Sequence, residues 1–253
     1  LAYRILSFII NEPTVLSLAI TATSNVSCNG LSDGVANATA NGGTLPYTYL
    51  WNDPNNTTSN TVTNLSAGTY RLTLSDNNGC SLIDSISITE PQTLVSSPTV
   101  SSNVSCFGAN DGSASVNVIG GTTPYTYLWS DINNTASPSI INLSVGTFYV
   151  TITDANNCFF IDTVSISQPN ALNLNISANN NVSCNGLSDG IATSIVSGGI
   201  TPYTYSWNDP NNSNSDSITN LSARTYILSV TDNNGCLIID SITITEPQAL
   251  TST

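Results

Sequence analysis

In Pro46-Tyr47-Thr48-Tyr49-Leu50-Trp51 the large aromatic residues fall at every second position, which is the period of a β-strand and not of a helix. Tyr47, Tyr49 and Trp51 therefore share one face, and that face is expected to be core. Tyr125, Tyr127 and Trp129 repeat the pattern, as do Tyr203, Tyr205 and Trp207. Downstream, Thr69-Tyr70-Arg71-Leu72-Thr73-Leu74 alternates Tyr70, Leu72 and Leu74 against polar neighbours, as a strand does when one face meets the core and the other meets water. By the same parity Ala36 and Ala38 face inward, where small residues make room for the aromatic bulk.

Working outward from this stretch, six segments read as strands, near 15–22, 34–40, 47–52, 60–65, 69–75 and 81–89, with Gly, Asn, Asp and Ser turn clusters between them. No segment sustains a 3.6-residue period. The whole set recurs at a 78-residue offset: Cys28, Cys106 and Cys184 head the copies, Cys80, Cys158 and Cys236 close them, and Pro13, Pro91, Pro169 and Pro247 mark the joins. The expected fold class is all-β, a tandem array of small Ig-like β-sandwich domains forming a rod. Residues 1–13 read as the tail of a preceding repeat, 14–91, 92–169 and 170–247 as three sandwich repeats, and 248–253 as the start of a following one. Thr89-Glu90-Pro91-Gln92 leads almost directly into the next copy, and proline stiffens each such join.

Turn chemistry can be compared across copies. Asp76-Asn77-Asn78-Gly79 and Asp232-Asn233-Asn234-Gly235 become Asp154-Ala155-Asn156-Asn157, so a tight turn with positive φ is expected before each closing cysteine. Gly68 and Gly146 become Arg224, which argues that this position needs no left-handed backbone. Asp84 shares its strand face with Leu82, Ile86 and Ile88, as Asp162 and Asp240 do in their copies. A buried unpaired carboxylate is costly, so a β-bulge that turns it outward is expected, with a hydrogen bond from a tyrosine hydroxyl as the alternative.

The chain carries 16 acidic residues against three arginines and no histidine, for a net charge of −13. That balance disfavours nucleic acid and anionic membrane surfaces as partners, since both are held by Lys and Arg. Charged residues are only 8% of the total, so Ser, Thr and Asn must cover the surface. No apolar run reaches the length of a spanning helix. The opening LAYRILSFIINEP aligns with the strand at 79–91 and has no small-residue cleavage site, which favours a strand over a secretory signal.

Each repeat is small enough to need help in staying folded. A disulfide within each copy, Cys28 to Cys80, Cys106 to Cys158 and Cys184 to Cys236, is the expected form of that help, worth roughly 3–4 kcal/mol each, and points to an oxidising compartment. These are not the inter-sheet cysteines of an antibody domain, because all of them sit beside turns. Should those turns fall at opposite ends of the sandwich, bridges between adjacent copies or free thiols are the alternatives. Cysteines without nearby histidine or C-x-x-C spacing do not suit zinc. Loops such as Asn29 to Asp33 and Asp76 to Asn78 offer oxygen ligands, yet none matches a complete calcium loop; no cofactor is expected, with calcium between domains as the alternative. Nor is a catalytic residue: there is no histidine to act as base and no evident carboxylate couple, and without lysine no Lys–Asn isopeptide cross-link can form. Triplets such as Asn64-Leu65-Ser66 follow from an Asn- and Ser-rich composition.

Cys28-Asn29-Gly30 with Asp33-Gly34, Gly42-Gly43 with Pro46 through Trp51, Leu65-Ser66-Ala67-Gly68-Thr69-Tyr70, Asp76 through Cys80, and Ile88-Thr89-Glu90-Pro91 together make the chain resemble the SprB-type repeat of Bacteroidota cell-surface gliding and adhesion proteins. The motifs recur in all three copies, departing from the pattern's glycines at Asn157 and Arg224. The resemblance implies a secreted, cell-surface location, export by the type IX secretion system, and a role in adhesion or gliding motility, with no catalytic residues. Ser85, Thr163 and Ser241, each after an aspartate and before an apolar residue, look like the O-glycosylation sequon of that phylum. Three functional classes are consistent with this reading. The chain is a structural stalk of a large extracellular repeat adhesin, or a self-associating multi-chain appendage whose partners are other filament subunits, or a set of repeats that bind polysaccharide directly. For the last, the aromatic stripe would be the platform, but its parity assigns it to the core.

Overall fold

The computed structural model describes Arg4 and residues 11–251. The strand expected over residues 1–13 lies, for its greater part, outside the described residues. Every regular element described is a β-strand: β1 (Ser17–Ser24), β2 (Gly34–Asn41), β3 (Thr48–Trp51), β4 (Thr61–Leu65), β5 (Gly68–Ser75) and β6 (Ser81–Ile88) in the first copy. The same six recur as β7 (Val95–Ser102), β8 (Gly112–Ile119), β9 (Thr126–Trp129), β10 (Ser139–Leu143), β11 (Gly146–Thr153) and β12 (Phe159–Ile166). They recur again as β13 (Asn173–Asn180), β14 (Gly190–Ser197), β15 (Thr204–Trp207), β16 (Ser217–Leu221), β17 (Arg224–Thr231) and β18 (Leu237–Ile244). By compactness the chain divides into two units. One comprises Leu1–Ser96, Val118–Tyr127 and Thr151–Ile161, the other Ser97–Asn117, Leu128–Val150 and Asp162–Thr253.

In the first unit, β2 lies between β1 and β4 in one antiparallel sheet, and β5 lies between β3 and β6 in the other. This is the strand arrangement of an immunoglobulin-type sandwich with its fourth strand missing. Trp51 on β3 is fully buried opposite Leu72 of β5, and its indole N–H donates to the Ser59 carbonyl at 3.0 Å. Around it pack Ala36, Ala38, Val62, Leu65, Tyr70 and Ile88, with Tyr49 half-buried at the margin. The parity reading of the sequence holds fully at Trp51, while Tyr47 and Tyr49 on the same face are half-buried; burial of a large apolar side chain contributes on the order of 1.5–3 kcal/mol. Tyr70, at the start of β5, donates its hydroxyl to the carbonyl of Ser66 at 3.1 Å and so pins the corner between the two sheets.

The second unit contains the same solution in the third copy. The sheets are β13-β14-β16 and β15-β17-β18, Trp207 pairs with Leu228, and Tyr226 donates to Ser222 at 3.1 Å. At the Arg224 position no left-handed backbone is present, as expected; the guanidinium lies 4.5 Å from the Tyr226 ring centroid and donates to the Asn208 carbonyl.

The expectation for Asp84 needs correction. The β5–β6 ladder runs from Gly68–Ile88 to Ser75–Ser81 without a register shift, so no bulge exists there, and the Tyr47 and Tyr70 hydroxyls donate to the Gly42 and Ser66 carbonyls instead. Asp84 instead remains exposed because β6 is the edge strand of its sheet, and its carboxylate accepts the N–H of Ser85 at 2.8 Å. Asp162 and Asp240 accept the following N–H in the same way.

Two glycine positions have a steric reason. Gly42, at φ +74°, would place a Cβ 2.0 Å from the carbonyl oxygen of Val15, so only glycine lets the incoming chain pass. Gly79 and Gly235 hold the positive φ foreseen before the closing cysteine, and Asn157 takes it at +65° in the second copy. The peptide bonds preceding Pro46, Pro124 and Pro202 are cis.

Candidate functional site

Two loops of each repeat carry its cysteines, and the backbone sends them to opposite ends of the sandwich. The heading loop of the first copy is closed by Asp33, whose carboxylate accepts the N–H of Ser27 at 2.9 Å, and by a Leu31 N–H to Cys28 carbonyl bond. The Ser27 hydroxyl and backbone N–H together hold the Asp33 carboxyl below the usual carboxylate range. This loop grips the outgoing chain: Gly30 donates to the Glu90 carboxylate at 2.7 Å, Asn29 to the Pro91 carbonyl at 3.1 Å, and Val26 to the Thr89 carbonyl at 3.0 Å. Thus the Cys-Asn-Gly and Glu-Pro motifs, 60 residues apart in sequence, are two halves of one structure.

The closing loop sits at the incoming end. Asp76 is buried, and its two carboxylate oxygens accept the N–H groups of Thr44, Asn78 and Cys80, each at 2.9 Å. The Thr44 N–H foremost, with Cys80 and Asn78, holds this carboxyl below its ordinary value against the upward push of burial. Asn77 donates to the Thr44 carbonyl, and Gly43 donates to Thr14, where the chain comes in. Asp232 repeats the cage with Ile200, Asn234 and Cys236; burial raises its carboxyl, and the three N–H groups outweigh that.

The strand β6 separates the two loops, and eight residues of strand span about 26 Å. A disulfide needs Cα atoms within roughly 7 Å. The expected bridge within each copy is therefore incorrect. Cys28 is instead joined to Cys158 and Cys106 to Cys236, with Cα separations of 5.7 Å in both cases and 130 residues between partners. Cys28 and Cys106, the heading cysteines of the first two copies, each reach the closing cysteine of the following copy, because the outgoing end of one repeat is where the next one comes in. The arrangement that the sequence left as an alternative is the one found, and Cys80 and Cys184 are exposed free thiols.

Polar contacts that the sequence reading missed support each bridge. Asn156 donates its amide to the Ser27 carbonyl at 2.8 Å, and Asn234 donates to the Ser105 carbonyl at 2.9 Å. The recurrence of asparagine at 78, 156 and 234 in the three closing loops is the available signal in the sequence, and ordinary turn chemistry accounts for it equally well. Around the first bridge lies a shallow cleft lined by Leu31, Leu94, Phe159 and Phe160. In the loop-entropy account, closing 130 residues removes about 5 kcal/mol of freedom from the unfolded chain.

The remaining candidate residues are dispersed. Ser85, Thr163 and Ser241 are exposed on the outward faces of β6, β12 and β18. Among the described residues no three His, Cys, Asp or Glu side chains are grouped to hold a metal ion, and no helix is long and apolar enough to cross a membrane. Trp51, Trp129 and Trp207 are at most 1% exposed, so the tryptophans offer no platform to a sugar.

The SprB repeat family model matches the chain three times, at residues 20–56, 99–134 and 177–212, from the first strand of each copy to the turn after its tryptophan. The chain carries three SprB repeats. No curated protein matches these repeats in sequence. Among solved structures, the SprB repeats are similar to the three N-terminal domains of the bacteriophage RB49 Highly Immunogenic Outer Capsid protein, at 14% identity and TM-score 0.45, over 91% of this chain and 95% of that one. They are also similar to a tetra-tandem repeat in the extending region of a large adhesion protein, at 13% identity and TM-score 0.29, over 90% and 73% of the two chains. A third likeness is to the N-terminal eight Ig domains of Down Syndrome Cell Adhesion Molecule, at 10% identity and TM-score 0.38, over 93% and 45%. These likenesses are loose; the sandwich assignment rests on the strand order of the SprB repeats themselves.

Proposed function

We propose that these SprB repeats are a structural stalk segment of a large extracellular adhesin, serving surface attachment or gliding motility. The observation that carries this reading is the pair of bridges from one repeat to the next: they spend the cysteines on joining neighbours and not on building a site. In keeping with it, the buried aspartates close loops and the tryptophans are buried. Bridges of this kind belong to an oxidising, extracytoplasmic compartment, which agrees with secretion to the cell surface through the type IX system that the family resemblance implies. The reading gives the repeats no enzymatic activity and no cofactor, with other surface or filament subunits as partners.

Cryo-electron microscopy of the protein released from its native source, with disulfides kept oxidised, tests the reading. Single beaded strands are the expected result, and a glycan array probed with the chain should then stay blank. Several chains wound together would replace the stalk by a self-assembling appendage, and a saturable glycan signal would replace it by a polysaccharide-binding module. A specific observation favours keeping the appendage as the second reading. Leu50 on β3 and Ile83 on β6 stand exposed in register on either side of Thr73, and Leu128 and Ile161 are exposed at the equivalent positions of the second copy, while Ser206 takes the first of these places in the third.

A further inference from the structure

The two bridges overlap in the sequence: Cys106 lies inside the loop closed by Cys28 and Cys158, and Cys158 lies inside the loop closed by Cys106 and Cys236. Between the two bridges the polypeptide therefore runs three times in parallel, along 28–106, 106–158 and 158–236. The middle run, the body of the second copy, is the shortest by about a third. We propose that this overlapped pair is an extension lock, a force-bearing device that keeps the first and third repeats from being drawn straight when the chain is pulled from its ends.

Load follows the shortest covalent route. With both bridges closed, that route runs from the start of the chain to Cys28, crosses to Cys158, returns to Cys106, crosses to Cys236 and continues to the end, about 96 residues in all. At about 3.5 Å per extended residue its limit is about 34 nm. With one bridge of either kind the limit is about 43 nm, and with none it is about 88 nm. Apart from β1 and β18, which lie outside the bridges, the strands of the first and third copies lie on the longer parallel runs, so they stay slack even when the middle run is taut. Hydrogen bonds such as that from Asn156 to Ser27 cannot supply this, since they yield one at a time under load, whereas the two disulfides are covalent. A cross-link confined within each copy would spare that copy alone and leave every join between copies in the line of force.

The lock rests on the stalk reading only for the supposition that load arrives along the chain; the connectivity would act in any setting. Single-molecule force spectroscopy tests it, with the oxidised chain tethered by peptide tags at its two ends. The Cys80→Ser/Cys184→Ser background is used so that the exposed thiols cannot exchange. Full extension of about 34 nm is expected, rising to about 43 nm in the further variants Cys28→Ser/Cys158→Ser and Cys106→Ser/Cys236→Ser, and to about 88 nm when a dithiol reductant is added to the parent tether. The reductant arm covers the case in which a variant folds poorly. A limit of about 70 nm in the oxidised parent would mean that Cys106 pairs with Cys158 and would overturn the proposal, as would a limit that the reductant leaves unchanged. Neither result depends on whether microscopy finds single strands, so failure of the lock and failure of the stalk reading are separable.

Discussion

Asp232→Asn isolates what holds a closing cysteine in place. In the wild-type loop, one carboxylate oxygen accepts from Asn234 and Cys236 and the other from Ile200, at 2.8–2.9 Å. An amide has one accepting oxygen, so whichever way Asn turns, its NH₂ faces at least one backbone N–H. Losing one charge-assisted hydrogen bond and leaving that donor without a partner should cost about 2–3 kcal/mol. Because the loop presents Cys236 to Cys106, the damage should also appear in oxidation. After reduction and return to a glutathione redox buffer, Cys106–Cys236 should re-form several-fold more slowly in the variant, while Cys28–Cys158, whose loop is held by the Thr122, Asn156 and Cys158 N–H groups donating to the Asp154 carboxylate, serves as an internal control. Urea titration followed by tryptophan fluorescence reads the stability, and timed alkylation with peptide mass spectrometry reads the bridges. A stability loss below about 0.5 kcal/mol, with both bridges re-forming at wild-type rates, would refute the claim that the carboxylate cage organises the junction.

Other outcomes follow from the same geometry. The carboxyls of Asp33, Asp76 and Asp232 titrate below their unfolded value of about 3.9, so the stability they contribute is fully present above about pH 4 and is lost as pH falls through the lower folded values; acid titration of the fold should steepen below pH 4, less so in Asp232→Asn. Alkylation of the unreduced chain should label two cysteines, Cys80 and Cys184, as peptide mapping can verify. Gly120→Ala places a Cβ 1.9 Å from the Thr93 carbonyl oxygen at φ +75°, and a loss of about 2–4 kcal/mol in urea is expected. Trp207→Ala removes a side chain that is 1% exposed and should cost about 3–5 kcal/mol by the same measurement.

The sandwich was legible in the sequence because its signals are local. A period of two at Tyr47, Tyr49 and Trp51 names a buried face without knowledge of the partner strand, and three copies of one pattern repeat the reading. The cysteine pairing was not legible, because it depends on which end of the sandwich each loop occupies. Cys28 and Cys80 look alike in sequence, each beside a turn; only the course of β6 shows that one faces the outgoing chain and the other the incoming chain. Asp84 misled for a related reason. Alternation places it among apolar neighbours, and parity says nothing of whether that stretch of strand lies at a sheet edge where the inward side is still wet. The Asn156 and Asn234 amides were invisible as junction contacts because asparagine is an ordinary turn residue, and its second role appears only across a join.

The joining of each repeat to the next is the centre of this account, and non-reducing peptide mapping of the oxidised chain by mass spectrometry tests it most directly. Linked peptides containing Cys28 with Cys158 and Cys106 with Cys236, alongside Cys80 and Cys184 as free thiols, are the predicted result. Peptides linking Cys28 with Cys80, Cys106 with Cys158 and Cys184 with Cys236 would contradict it and return the repeats to independent, self-closed domains.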